Sequence, residues 1–165
     1  MAAKKKQTVP TPNDHVVRPY TGNVDGPHPA RREGTYAFLD LLRFFFQVKS
    51  LGVYANRPVR GGISPSTHRT HRALDIEGGP NQLKAIATFL EANNDRLGVE
   101  LVADYSGARF DGLPYGALWR CDRNAWTIYD KPTINGKKTT LHIEINPEMA
   151  DSPDLVRAAW TSLWS

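Results

Sequence analysis

Two histidines and an aspartate in this chain have the types and setting to hold a metal ion. The run Ser66-Thr67-His68-Arg69-Thr70-His71-Arg72-Ala73-Leu74-Asp75 places a histidine and an aspartate seven residues apart, with the aspartate in a short apolar strand. Much later, Leu141-His142-Ile143-Glu144-Ile145 forms a second strand that carries a histidine. Two histidines and one carboxylate are the ligand set of a catalytic zinc ion whose fourth position is left for water. The chemistry expected is metal-assisted hydrolysis.

Alternation within both strands supports a shared polar surface. Leu141, Ile143 and Ile145 point to one face, and His142 and Glu144 to the other. Likewise Leu74 and Ile76 share a face, opposite Ala73, Asp75 and Glu77. If both apolar faces meet one core, Asp75, His142 and Glu144 line one polar surface. The alternative is a pair of solvated strand faces, which most alternating strands have.

Ser66-x-His68-x-x-His71-x-Ala73-x-Asp75 resembles the S-x-H-x-x-G-x-A-x-D signature of the zinc D-Ala-D-Ala carboxypeptidase family. That family includes vancomycin-resistance D,D-dipeptidases and phage L-alanyl-D-glutamate endopeptidases. Its superfamily takes in lysostaphin-type peptidases and the hedgehog signalling domain. Asn56-Arg57-Pro58-Val59-Arg60-Gly61-Gly62-Ile63 resembles the family's N-x-x-V-G-G-V approach, and Leu141 to Glu144 its W-H-x-E strand. The likeness spans roughly residues 35 to 147. It implies that His68, Asp75 and His142 are zinc ligands and that Ser66 hydrogen-bonds near the substrate. The sequence departs from the family pattern at two positions. His71 stands where the family has glycine, so it must tolerate the turn, contact substrate or replace His68. Thr139 stands where many members carry the general-base glutamate.

The base must then come from elsewhere. Glu144 is the candidate, because it shares a face with His142 about 7 Å along the strand. It reads equally as an exposed carboxylate or as a hydrogen-bond partner of a ligand. Asp104 and Glu77 are the reserves. Arg57 and Arg60 lie where the family places an arginine that clamps a substrate carboxylate. The alternative for either is a surface charge. Tyr115, Trp119 and Trp126 could wall a groove, although at least one of the tryptophans is expected in the core.

The elements that position these residues follow from pattern. Residues 1 to about 34 hold three lysines and five prolines with few apolar residues, and read as an extended basic tail that adds little to the core. Residues 35 to 165 form the zinc-peptidase-like domain. Thr35 to Leu51 reads as a helix with Phe38, Leu41, Leu42, Phe45 and Val48 on one face, broadened by Phe44 and Phe46. Asn81 to Leu97 reads as a second helix with Leu83, Ile86, Ala87 and Leu90 inward and Gly98 as its stop. Strands are expected at Val99 to Tyr105 and Trp126 to Tyr129, and a turn at residues 133 to 137 leads into the last strand. A helix from Pro153 to Trp164 closes the chain. This order is α+β, with helices packed on a small, mostly antiparallel sheet that bears the zinc site.

Composition bounds the partners. The formal charge of +4 and pI near 9.3 suit an anionic polymer such as peptidoglycan. Nucleic acid is a weaker fit, because no recognition motif accompanies the charge. The single cysteine, Cys121, excludes an internal disulfide and reads as a small buried apolar residue. No apolar h-region follows the charged start, and no segment approaches a membrane span. The expectation is a zinc peptidase that cuts peptidoglycan stem peptides. It would be made in a host cytoplasm and act at the cell wall as a phage endolysin, or be carried in the virion beside phage tail proteins. The alternative is a structural virion protein that keeps the fold and has lost catalysis.

Overall fold

The computed structural model describes residues 6–11, 16–59, 62–111, 113–130 and 139–165. The expected turn at residues 133 to 137 lies outside them. Among the described residues, the chain builds four α-helices on a seven-stranded antiparallel sheet, so the fold is α+β as expected.

The strands are β1 (Thr8–Pro10), β2 (Lys49–Gly52), β3 (Ala73–Glu77), β4 (Val99–Asp104), β5 (Ala117–Arg120), β6 (Ala125–Ile128) and β7 (Thr140–Ile145). Their order across the sheet is β1-β6-β5-β4-β7-β3-β2. The helices are α1 (Glu33–Phe46), α2 (Pro80–Ala92), α3 (Pro147–Asp151) and α4 (Pro153–Ser162). Alternation sends Leu74, Ile76, Val102, Leu141, Ile143 and Ile145 into one core with Phe38, Leu42, Leu83, Ile86, Ala87 and Leu90 of the helices. No helix among the described residues is long and apolar enough to cross a membrane.

Three expectations about the elements are corrected. The first helix ends at Phe46, because Gln47 turns left-handed at φ 55, and residues 49–52 become an edge strand instead of a last helical turn. Phe44 is 77% exposed and broadens no buried face, whereas Phe45 stacks across Trp160 and Trp164. The second helix stops at Ala92, and Gly98 comes after a run of turns.

The N-terminal segment differs most from its expected peripheral role. β1 pairs with β6, setting Val9 opposite Trp126. Residues 16 to 32 then run back over the sheet as a strap. Asp25 accepts from both Arg32 and Arg72, whose side chains are almost fully buried. Arg72 also donates to the carbonyl of Ile145 at 2.6 Å and faces Glu100 at 3.4 Å. Arg32 reaches Asp151 at 2.7 Å. A short segment with few apolar residues is therefore held by charge and hydrogen bonds, which a hydrophobic pattern does not register.

Removing one partner from a buried ion network leaves the other charge uncompensated, at a cost of about 3–5 kcal/mol. Asp25→Asn, close to isosteric, is expected to lower the unfolding free energy by about 3 kcal/mol. Urea denaturation checks this, and an unchanged midpoint would show that the strap is dispensable.

Candidate metal centre

β3 and β7 pair so that Asp75 stands directly opposite His142. Cross-strand neighbours on one face have Cβ atoms about 4.5–5.5 Å apart, which brings a carboxylate and an imidazole together. The third group comes from above the sheet. Thr67–Thr70 form a single 3₁₀ turn whose start is capped by the Ser66 hydroxyl, accepting from the His68 N–H at 3.3 Å. That turn lowers the His68 ring onto the pair. His68, Asp75 and His142 could hold a metal ion, with donor atoms within 4.8 Å of one another.

The spacing is tighter than that bound. His142 Nδ1 lies 2.9 Å from Asp75 Oδ1 and 3.2 Å from His68 Nε2, and His68 Nε2 lies 3.1 Å from Asp75 Oδ2. Tetrahedral ligands at bond lengths of ~2.0–2.1 Å stand ~3.3 Å apart, so three corners of such a site are in place. The tautomers agree. His68 Nδ1–H donates to the Val53 carbonyl at 2.8 Å, and His142 Nε2–H donates to Glu144 Oε1 at 2.8 Å. With those outward protons in place, loss of the proton that His142 carries without metal leaves both inward nitrogens with lone pairs. Lone pairs converging with a carboxylate in a buried site need a proton or a cation between them.

Burial alone would raise the Asp75 pKa, but hydrogen bonds and charge from His142 and His68 hold it well below the usual carboxylate range. Burial alone would lower the His142 pKa, yet Asp75 and Glu144 outweigh it and lift the ring to about 10. Glu144 is likewise held low by His142, Thr67 and Tyr20 against its own burial.

Glu144, expected as the base, hydrogen-bonds the candidate ligand His142. It meets His142 on the ring nitrogen that points away from the ligand cluster, and its oxygens also accept from Thr67 Oγ1 and Tyr20 Oη at 2.6 Å each. Three donors already hold its carboxylate, on the side of the His142 ring away from the other candidate ligands. Asp104, a reserve, falls on the helix side of the sheet. It is fully buried there and caps the turn that follows through Ser106 and the Arg109 N–H at 2.8 Å. Glu77 shares the face of Asp75 and sits opposite Thr140.

His71 stays out of the cluster. Its φ of 58 is the left-handed backbone that glycine adopts most readily, and the side chain is anchored to offset the strain. Nδ1–H donates to the His28 carbonyl at 2.7 Å, the Tyr36 hydroxyl lies 3.1 Å from Nε2, and Tyr54 stacks on the ring. Ser66 is buried as a cap and has no exposed hydroxyl for a substrate. Arg57 lies at the neck of a hairpin where its carbonyl accepts from the Ser66 N–H at 2.9 Å, with its guanidinium on the Pro58 carbonyl. Arg60 lies outside the described residues. Trp119 and Trp126 both face the helix-side core and are fully buried, so neither walls a groove; Tyr115 is half-buried. Cys121 is buried, and burial pushes its thiol up to about 11.

Sequence reasoning missed Tyr20 and Thr67, which hold Glu144, and Val53, which orients His68 through its backbone. Only Thr67 lies within the segment that resembles a family signature. A backbone carbonyl leaves no residue-type signal. Compared with protein-family models, with curated proteins and with solved structures, the chain has no significant match.

The His142 pKa sets a sign for metal binding. Below about pH 10 the metal-free ring carries a proton that must leave before Nδ1 can ligate. Metal binding at pH 7–8 is thus expected to release about one proton, and apparent affinity to fall about tenfold per pH unit of acidification. Calorimetry in buffers of different ionisation enthalpy measures that proton directly. Binding without proton release would mean that His142 Nδ1 is not a ligand.

Proposed function

We propose that this chain is a zinc peptidase that hydrolyses amide bonds in peptidoglycan stem peptides, as a phage endolysin or a virion-borne wall hydrolase. The observation that carries the reading is the His68–Asp75–His142 cluster, with three donor atoms at 2.9–3.2 Å and the outward nitrogen of each histidine held by an acceptor. A nitrogen-rich set with one carboxylate favours zinc, and the motif resemblance favours the peptidase class. The excess of positive charge suits an anionic wall.

A bound zinc supplies two things, a lowered pKa for the attacking water and polarisation of the scissile carbonyl. The remaining work belongs to the chain. Glu77 is proposed as the base in place of Glu144. It lies two residues beyond Asp75 on the same face, about 7 Å along β3. The adjacent Gly78 N–H donates to the carbonyl of Thr139, the position where the resembling family carries its glutamate. Glu77 would take the proton from water as oxygen attacks the carbonyl carbon. It would then pass that proton to the leaving nitrogen as the C–N bond breaks. Tyr105 continues this row, since its N–H donates to the Thr140 carbonyl at 3.2 Å. Burial, helped by the charges of Asp75 and Glu144, keeps its phenol protonated and able to donate to a peptide carbonyl. Arg57 is proposed as the contact for a substrate carboxylate at the same end.

The test is mass spectrometry of fragments released from defined muropeptides by the zinc-loaded full chain. Chelator should abolish release. Glu77→Gln should keep zinc and lower turnover by about 10²–10⁴-fold. Glu144→Gln should weaken zinc binding by about 10–100-fold and recover activity in excess zinc. A zinc-loaded wild type that releases nothing would favour the structural virion protein, consistent with Thr139 and with the occupied carboxylate of Glu144.

A further inference from the structure

The strap joins both halves of the metal centre. On the strand side, Tyr20 Oη donates to Glu144 Oε2 at 2.6 Å, and Glu144 Oε1 accepts from His142 Nε2 at 2.8 Å. The phenol ring is fixed from above by the Arg120 guanidinium, 4.3 Å from its centroid. Gly22 lets the chain turn back tightly over that ring: its φ is +50, and a Cβ there would stand 3.0 Å from the ring carbon Cε1 of Tyr20. Next to it, Thr21 donates to Glu100 at 2.8 Å.

On the turn side, Asn23 Nδ2 donates to the Pro65 carbonyl at 3.0 Å, and Arg69 Nε donates to Asn23 Oδ1 at 3.0 Å. The His28 N–H donates to the Arg69 carbonyl at 2.7 Å. These bonds bracket Ser66 to His68, the turn that carries the first ligand. Arg18 anchors the start of the strap by donating to the carbonyl of Val99 at 2.6 Å and to Asn94 Oδ1 at 2.9 Å.

We infer that the N-terminal strap is part of the metal centre, and that Tyr20 is a positioning residue that sets metal affinity through Glu144 and His142. The inference rests on the candidate metal centre and does not depend on peptidase activity. A carboxylate that orients a ligating imidazole must itself be held. Glu144 has two hydroxyl donors for this, Thr67 and Tyr20, and only Tyr20 comes from outside the ligand-bearing segments. Removing its hydroxyl frees one oxygen of Glu144 to rotate, and the His142 ring loses its fixed aim.

The experiment titrates Zn²⁺ into the full chain against a chromophoric chelator, for wild type, Tyr20→Phe, Glu144→Gln and the double variant. Tyr20→Phe is expected to weaken Zn²⁺ binding about 10–100-fold and to alter the visible spectrum of the Co²⁺-loaded chain. Its ring still packs under Arg120, and melting of the metal-free variants separates loss of fold from loss of aim. In the Glu144→Gln background the same change should have little further effect, which is the signature of a path through Glu144. Thr67→Val, which removes the second hydroxyl, should act like Tyr20→Phe. Unchanged Zn²⁺ affinity and Co²⁺ spectrum in Tyr20→Phe would overturn the inference. So would a loss that adds fully to that of Glu144→Gln. A folded wild type that binds no Zn²⁺ would overturn the metal centre itself, and the inference with it.

Discussion

The register between β3 and β7 is the constraint on which the site depends. Asp75 faces His142 because Leu74 pairs with Ile143 and Ile76 with Leu141. Those four side chains are fully buried in the core beneath. A slip of one residue would turn the apolar set to the polar side and carry Asp75 and His142 into the core. The hydrophobic face therefore fixes how the candidate ligands Asp75 and His142 meet. Its energetic weight comes from burial, while the polar side by itself would resist assembly, since it gathers three electron-rich donors in one place.

That resistance is managed by hydrogen bonds at the periphery. Each histidine is held through its outward nitrogen, one by the Val53 carbonyl and one by Glu144, so the inward nitrogens have no choice of orientation. Glu144 shows how a shared strand face leaves a role undetermined. It has the parity of a base and the neighbours of a support. The difference lies in which ring nitrogen it meets, and the strap residue Tyr20 helps to settle that.

The strap illustrates a second physical point. Arg72 and Arg32 lose nearly all contact with water, a change that is favourable only if carboxylates and carbonyls replace the lost hydration. Asp25, Glu100, Asp151, and the carbonyls of Gly22 and Ile145 do so. A segment with little apolar content can thus be integral to a fold. Its stability is electrostatic and directional, and depends on partners up to 119 residues away in the chain.

Local pattern alone determined the α+β class, the inward faces of the second helix and the strand alternation that sets His142 and Asp75 on one side. It also set His68 and Asp75 seven residues apart within residues 66 to 75. These are short-range properties, because side-chain direction repeats every two residues in a strand and every 3.6 in a helix. The tertiary structure decided which partner each outward atom meets. It put Asp104 on the helix side, buried Trp119 and Trp126, ended α1 at Phe46 and turned His71 away from His68, Asp75 and His142. It also drew residues 16 to 32 across the sheet. The pairing of Asp75 with His142 depends on the order β1-β6-β5-β4-β7-β3-β2, which sets β7 beside β3 and β4 although β3 lies far from it in sequence. Periodicity carries the face of a residue but not the identity of the chain that covers it.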